Sequence, residues 1–515
     1  MSFSLNFLFT DGMVLQREKE LRVWGNAKAG DEVCVRLTDE SDACICEGTA
    51  EADEAGDWLV TLPPQPAMRR LALAASCEDV CLRVGDVAIG EVWIAGGQSN
   101  MEFAMRYDAD CGSEKERCGN ADIRFFDTPR ICYGEQQSDF DYREYGHWKP
   151  CDAAHLEYFS AVGYYFAKEL AAELSVPVGI VGCNRGGSIA AAWMDEKSAA
   201  EHGQVWLDDY AGYTPEVYEQ AKEMFRKLPS TNTAEPFADA VGDELMYGMS
   251  RERQQELMKQ MPPDNGSGLP GFDNRPGCLY EHMLKRIIPY AARGVIWYQG
   301  ESDCLHPEMY ADLFLDMVQL WRKDFCDSLP FLTVQLAPFG EWLECQGIDF
   351  PIVRAQQERA AEQGEGIYLV SSSDVGMLYD IHPKKKAPIG HRLALCASAE
   401  IYGRDVAWRA PAGADAVYQD GVLRIRFTNA DGLFIQGDKL LAFALEREDG
   451  TVCGLEKGSP IRFAAEGDCV AVRGLDLTYG ETCTVRFAQT GYYEVNLYNA
   501  AGIPAMPFAR LVRFA

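Results

Sequence analysis

Over the first 88 residues, apolar positions come in short runs at 14–16, 21–25, 32–37 and 58–62, broken by Ala29-Gly30-Asp31 and Pro63-Pro64. Runs of this length, with turn residues between them and no helical period, predict a small β-sandwich. From 89 to 404 the pattern changes. Apolar runs at 92–95, 178–182, 294–298, 331–336 and 367–370 alternate with stretches of helical period at 158–174, 279–292, 309–321, 353–362 and 389–402. In the first of these stretches Phe159, Val162, Phe166 and Leu170 fall on one face. Strands alternating with helices predict an α/β domain with a parallel sheet covered on both sides. Two inserts interrupt it: 102–150, polar and rich in Asp, Tyr and Cys, and 197–276, charged, partly helical and ending in Asn265-Gly266-Ser267-Gly268. Long inserts after strand ends commonly build a pocket or a lid. From 405 to 515 strand-like runs return at 422–427, 440–445, 469–472 and 484–487, with turns at Pro411-Ala412-Gly413 and Asp420-Gly421. The expected organisation is therefore a β-domain at 1–88, an α/β domain at 89–404 and a second β-domain at 405–515.

Composition narrows the partners. A chain of 515 residues with 47% hydrophobic and 25% charged content is that of a folded, multi-domain protein. Its net charge of −31 disfavours a nucleic-acid partner, which needs a basic face. No apolar stretch reaches the roughly 18 residues of a membrane span, and the first residues lack the basic start of a signal peptide. The 18 cysteines are scattered, with a CxC at Cys44/Cys46 and a CxxxC at Cys77/Cys81 but no paired CxxC set. That pattern reads as reduced, mostly buried thiols rather than a metal site. Together these features point to a cytoplasmic location.

Chemistry enters at the strand ends, because in open α/β sheets ligands sit beyond the carboxyl ends of the strands. The run 92–95 stops at Gly96-Gly97 and is followed by Gln98-Ser99-Asn100-Met101. A serine on such a strand-to-helix turn is placed to attack a substrate, and the N–H groups around it can hold negative charge. Ser99 then needs a base. Of seven histidines, His147, His155, His202, His282 and His306 stand in inserts or helices, and His391 lies in or near the last helix. His382, in Tyr379-Asp380-Ile381-His382-Pro383, follows the run 367–370. Asp380 is positioned to orient it as the third member of a triad. The oxyanion of an acyl transfer needs donors. Candidates are the Ser99 N–H, the backbone of Asn184-Arg185-Gly186-Gly187-Ser188 and the side-chain amide of Gln299 in Gln299-Gly300-Glu301-Ser302-Asp303. Gln98, Asn184 and Glu301, which flank these groups, are candidate substrate contacts. Glu301 and Asp303 could instead form the two-carboxylate pair of a glycosidase, but that reading leaves Ser99 and His382 without a role.

Gly-Gln-Ser-Asn-Met (97–101), Asn-x-Gly-Gly (184–187), Ile-Trp-Tyr-Gln-Gly-Glu-Ser (296–302) and Asp-Ile-His-Pro (380–383) together resemble the SGNH-type sialate O-acetylesterase family of carbohydrate esterases. The similarity extends to Asp11-Gly12-Met13-Val14-Leu15-Gln16-Arg17 near the start and Asn496-Leu497-Tyr498-Asn499 near the end. The resemblance implies a flavodoxin-like SGNH core between β-domains. It implies removal of O-acetyl groups from sugars through a serine acyl-enzyme, without metal or cofactor. Ser99 is then the nucleophile, His382 the base, and Ser99, Gly187 and Gln299 the oxyanion hole. Two positions depart from the family pattern. The superfamily often has its Asp three residues before the His, where this chain has Tyr379, so a Ser–His–Asp triad and a Ser–His dyad both stay open. Arg185 stands where related sequences commonly carry tryptophan, and a guanidinium there could pair with a sialate carboxylate or with a carboxylate of the protein itself.

The expected activity is thus a serine esterase acting on O-acetylated sialic acids or related sugars. One alternative keeps the chemistry and takes acetylated plant polysaccharide such as xylan. The other is a non-catalytic glycan-binding protein, which has no need of a nucleophile, a base and amide donors together.

Overall fold

The computed structural model describes residues 3–136, 146–227, 240–260, 271–453 and 460–515. Asn265-Gly266-Ser267-Gly268 lies outside them. The central sheet is built from β1 (Val80–Gly97), β2 (Asn120–Asp127), β3 (Trp148–Cys151), β4 (Val178–Asn184), β5 (Gly294–Tyr298), β6 (Phe331–Val334) and β7 (Ile367–Val370). Their order across the sheet is β3-β2-β4-β1-β5-β6-β7. All neighbours are parallel except β3, which runs antiparallel to β2 at the edge.

Strands buried on both faces read as continuous apolar runs, and β4 and β5 are buried at every position. Alternate residues of β1 serve opposite sides. Trp93 and Ala95 pack with α2 (Ala161–Leu174) and α5 (Ala387–Glu400). Val92 and Ile94 pack in the cluster that holds α3 (Tyr310–Phe325) and α4 (Phe350–Gln363). Ser160 caps α2 by accepting the Gly163 N–H at 3.1 Å. The two helices of the first side pack closely enough that a Cβ on Gly390 would stand 2.4 Å from Tyr165 Cβ.

Three expectations change. The helix expected at 279–292 is a short turn, Cys278–His282, followed by a 3₁₀ turn at Leu284–Arg286. Pro289, without an N–H, cannot extend it. The insert 102–150 is not wholly peripheral, since β2 and β3 extend the sheet from within it. Asp122, Arg124 and Asp127 interleave the apolar Ile123, Phe125 and Phe126 and hide the strand. Finally, β1 runs unbroken through residue 88. Its first half pairs with Val14–Gln16 and Met68–Cys77 of the N-terminal β-domain, its second half with β4 and β5.

The N-terminal β-domain adds a three-stranded sheet of Ser4–Leu5, Leu21–Asn26 and Asp57–Leu62, with burial alternating along Asp57–Leu62 as a one-sided strand requires. Residues 412–514 form an eight-stranded sheet over its own core, which includes Leu423, Ile425, Val485 and Phe487. Arg354 of α4, 1% exposed, reaches this unit by donating to the Thr490 and Gly491 carbonyls at 2.8 Å each. Among the described residues no helix is long and apolar enough to cross a membrane.

Candidate active site

Gly97, Asn184 and Tyr298 end three neighbouring strands in register, with Gly97 opposite both of the others. The turns that follow therefore share one edge of the sheet. At Gly97 the backbone takes φ +130°, and a Cβ would stand 2.2 Å from the Tyr298 oxygen, so only glycine fits. The chain then enters the short helix α1 (Ser99–Glu102), which begins with Ser99.

His382 Nε2 lies 2.9 Å from Ser99 Oγ, although 283 residues separate the two in sequence. The imidazole, 3% exposed, sits between Phe103, roughly parallel at 6.4 Å, and Trp342, edge-on at 5.0 Å. Burial pushes His382 below the usual histidine range, and the neighbouring Asp380 carboxylate only partly offsets this. The ring is thus held neutral, as a general base requires. Asp380 Oδ1 accepts the His382 backbone N–H at 2.8 Å. It lies 3.4 Å from Nδ1, and Nδ1 has no hydrogen-bond partner. Asp380 is near enough to act through its charge, but the hydrogen bond of a triad is not made. Burial raises the Asp380 carboxyl, yet His382 and Lys384 outweigh it and hold the group below its ordinary value.

Asn100 ties the serine loop to the histidine loop. Its Nδ2 donates to the Ile381 carbonyl at 3.1 Å and to Glu301 Oε1 at 2.5 Å, and its Oδ1 accepts from Lys386 Nζ at 2.5 Å. Lys386 is wholly buried, and burial together with Lys384 pulls its ammonium down to about 7. Asn100 stands in the Gly-Gln-Ser-Asn-Met motif, but its partners come from remote segments that spacing does not reveal.

The N–H groups of Ser99 and Gly187 carry no hydrogen bond among the described residues and remain open to an oxyanion. The Gly186 N–H donates to the Glu102 carboxylate, and Glu102 Oε1 also pairs with Arg130 at 3.2 Å. Sequence reasoning passed over Glu102 and Arg130.

The other candidate residues are placed as follows. Gln299 is fully buried. Its Nε2 donates to the Ser188 carbonyl at 3.0 Å and to the Asp303 carboxylate, so its amide braces the wall instead of facing the cavity. Asp303, whose carboxyl burial pushes up to about 7, is the partner that turns it inward. Arg185 donates from Nε to Asp273 Oδ2 at 3.2 Å and is matched by the protein's own carboxylate. Asn184 donates to the Ala95 carbonyl at 3.0 Å and joins two strand ends. Gln98 borders the cavity, but its Oε1 accepts from the Gly300 and Ser302 N–H groups at 3.2 and 3.3 Å. Glu301 does reach the cavity wall, with Oε2 buried and unpartnered.

The cavity over Ser99 and His382 has a volume of about 800 Å³, enough for a saccharide unit or more. A hairpin of Glu341–Trp342 and Cys345–Gln346 forms one wall. Met246, from helix Ala240–Gly248 of the second insert, forms part of another.

The chain resembles known proteins over most of its length. Residues 263–397 match the family described as carbohydrate esterase, sialic acid-specific acetylesterase. Sialate O-acetylesterase of Rattus norvegicus is 24% identical over 418 residues, covering 76% of this chain and 72% of that protein. The Mus musculus sialate O-acetylesterase is 22% identical over 531 residues, covering 96% and 92%. A solved carbohydrate acetylesterase from Xanthomonas citri superposes with a TM-score of 0.74 at 27% identity, over 98% of this chain and 99% of that one. Residues 263–397 thus match the sialic acid-specific acetylesterase model, the chain is similar over most of its length to sialate O-acetylesterases, and it is a carboxylic ester hydrolase.

Proposed function

We propose that this protein removes O-acetyl groups from sugars by a serine acyl-enzyme route. The observation that carries the reading is the 2.9 Å contact between Ser99 Oγ and His382 Nε2, in a cavity of saccharide size and beside two open backbone donors. Nε2 accepts the serine proton as Oγ attacks the acetyl carbonyl. The carbonyl oxygen gains charge facing the N–H groups of Ser99 and Gly187. The imidazolium then protonates the departing sugar oxygen, leaving an acetyl-serine. Water, losing its proton to Nε2, attacks this ester, and acetate leaves as Ser99 regains its proton. Asp380 steadies the imidazolium by charge across 3.4 Å. The residues alone therefore support a dyad with an electrostatic helper.

The charge of the wall bears on which sugar is taken. Among the described residues, the carboxylates Glu102, Asp127, Glu301, Glu344 and Asp349 line the cavity against the cations Arg130 and Lys149. Arg130 is paired with Glu102 and Asp127, and Arg185 is held by Asp273. This lining favours an uncharged acetylated saccharide over a sialate.

Acetate release from a panel of acetylated neutral sugars, acetylated xylan and O-acetyl sialic acid tests both points. Wild type should release acetate, fastest from the neutral substrates, and Ser99→Ala should lose about 10⁴-fold or more. A wild type that binds these sugars without releasing acetate would make the chain a glycan-binding protein instead.

A further inference from the structure

We infer that Asn274 supplies the side-chain amide that completes the oxyanion pocket, the part the sequence assigns to Gln299; this rests on the acyl-enzyme reading above. The polar groups ringing Ser99 are mostly engaged already. Gln299 is turned into the wall, Asn184 joins strand ends, Gln98 braces the turn at 300–302, and the Gly186 N–H is held by Glu102. Asn274 is different. It lines the same cavity, its Oδ1 is buried without a partner, and its side chain makes no hydrogen bond among the described residues. Its Nδ2 lies 3.3 Å from the point where a Cβ on Gly187 would stand, next to the residue whose N–H is open.

The amide is also held in place. Asn274 ends the 3₁₀ turn Phe272–Asn274, closed by its own N–H donating to the Gly271 carbonyl at 3.1 Å. On one side of the turn Asp273 is gripped by Arg185, the residue two before Gly187. On the other, the Gly277 N–H donates to the Ala191 carbonyl at 3.0 Å. The turn is thus fastened to the segment that carries the oxyanion glycine, and Arg185 acts as a positioning residue for Asn274 rather than as a ligand for substrate. A neutral amide offers two N–H donors without adding charge near His382, which suits an oxyanion that must form and collapse twice per turnover.

The test is steady-state kinetics on an acetyl ester, with the second-order rate of phosphorylation by diethyl 4-nitrophenyl phosphate, whose phosphoryl oxygen takes the place of the oxyanion. Asn274→Ala should lower kcat by about a hundredfold with KM within about twofold, and slow phosphorylation by a similar factor. The isosteric Asn274→Asp, which keeps the shape and puts a carboxylate there, should fall at least as far. Unchanged kcat, or a raised KM with unchanged phosphorylation, would overturn the assignment, the latter making Asn274 a sugar contact. If Ser99→Ala still releases acetate or is still phosphorylated, the acyl-enzyme reading fails first and takes this one with it.

Discussion

At the scale of single residues, the balance between His382 and Asp380 sets the working range of the site. On the proposed acyl-enzyme route, protonated His382 cannot accept the serine proton, so activity should be present above its pKa and lost as pH falls through it. Burial holds that value below the ordinary histidine pKa of about 6.5. The acid limb of kcat/KM should therefore lie below about 6.5. Asp380 opposes the downward shift, so Asp380→Asn should move the limb to still lower pH. Because Asp380 makes no hydrogen bond to Nδ1, the accompanying loss in kcat should be about tenfold to a hundredfold, far less than the roughly 10⁴ seen where a triad aspartate fixes the tautomer. A pH–rate profile of both proteins checks the two points together.

At the scale of elements, the strand ends are what gather the site, and Gly97 is the tightest of them. A Cβ there meets the Tyr298 oxygen at 2.2 Å in a backbone conformation that side chains rarely adopt. Gly97→Ala should destabilise the fold by about 3 kcal/mol or more and abolish activity, read by thermal unfolding and soluble yield. The elements were also where the sequence was most legible. The runs 294–298 and 367–370 are strands over just those residues, because a parallel strand buried on both faces advertises itself as an apolar run. Strand β2 escaped notice because alternating charges mask it, and the helix expected at 279–292 stops at His282 and gives way to a 3₁₀ turn. Side-chain direction was less legible. Whether Gln299 faces the cavity depends on Asp303 and Ser188, and whether Arg185 is open depends on Asp273, a partner 88 residues away. Asn274 sits in Phe272-Asp273-Asn274-Arg275-Pro276, which reads as an ordinary turn closing an insert, and only proximity to Gly187 gives it meaning.

At the scale of the whole molecule, Glu91 joins the N-terminal β-domain to the central sheet. Its carboxylate, fully buried, is gripped by Arg17 from one unit and by Arg293, at 2.7 Å, from the other. Burial raises its pKa, but Arg293 and Arg17 outweigh that and hold it below the usual carboxylate range. A depressed carboxylate stabilises the fold above its unfolded pKa of about 4.3, and that contribution disappears as pH falls through the lower folded value. Glu91→Gln should cost about 3 kcal/mol at pH 7, and the gap from wild type should narrow below about pH 4, measured by urea unfolding at both pH values.

The same seam has a consequence for how far the enzyme can be trimmed. Because Val80–Gly97 is one uninterrupted strand, a protein excised to begin at residue 89 would start halfway along the rod whose far end leads into Ser99. It would strip Glu91 of Arg17 and leave the apolar flank that Leu15 and Val14 now cover naked to water. The leading β-domain is thus no detachable ornament: it anchors the root of the strand whose far end carries the turn to Ser99.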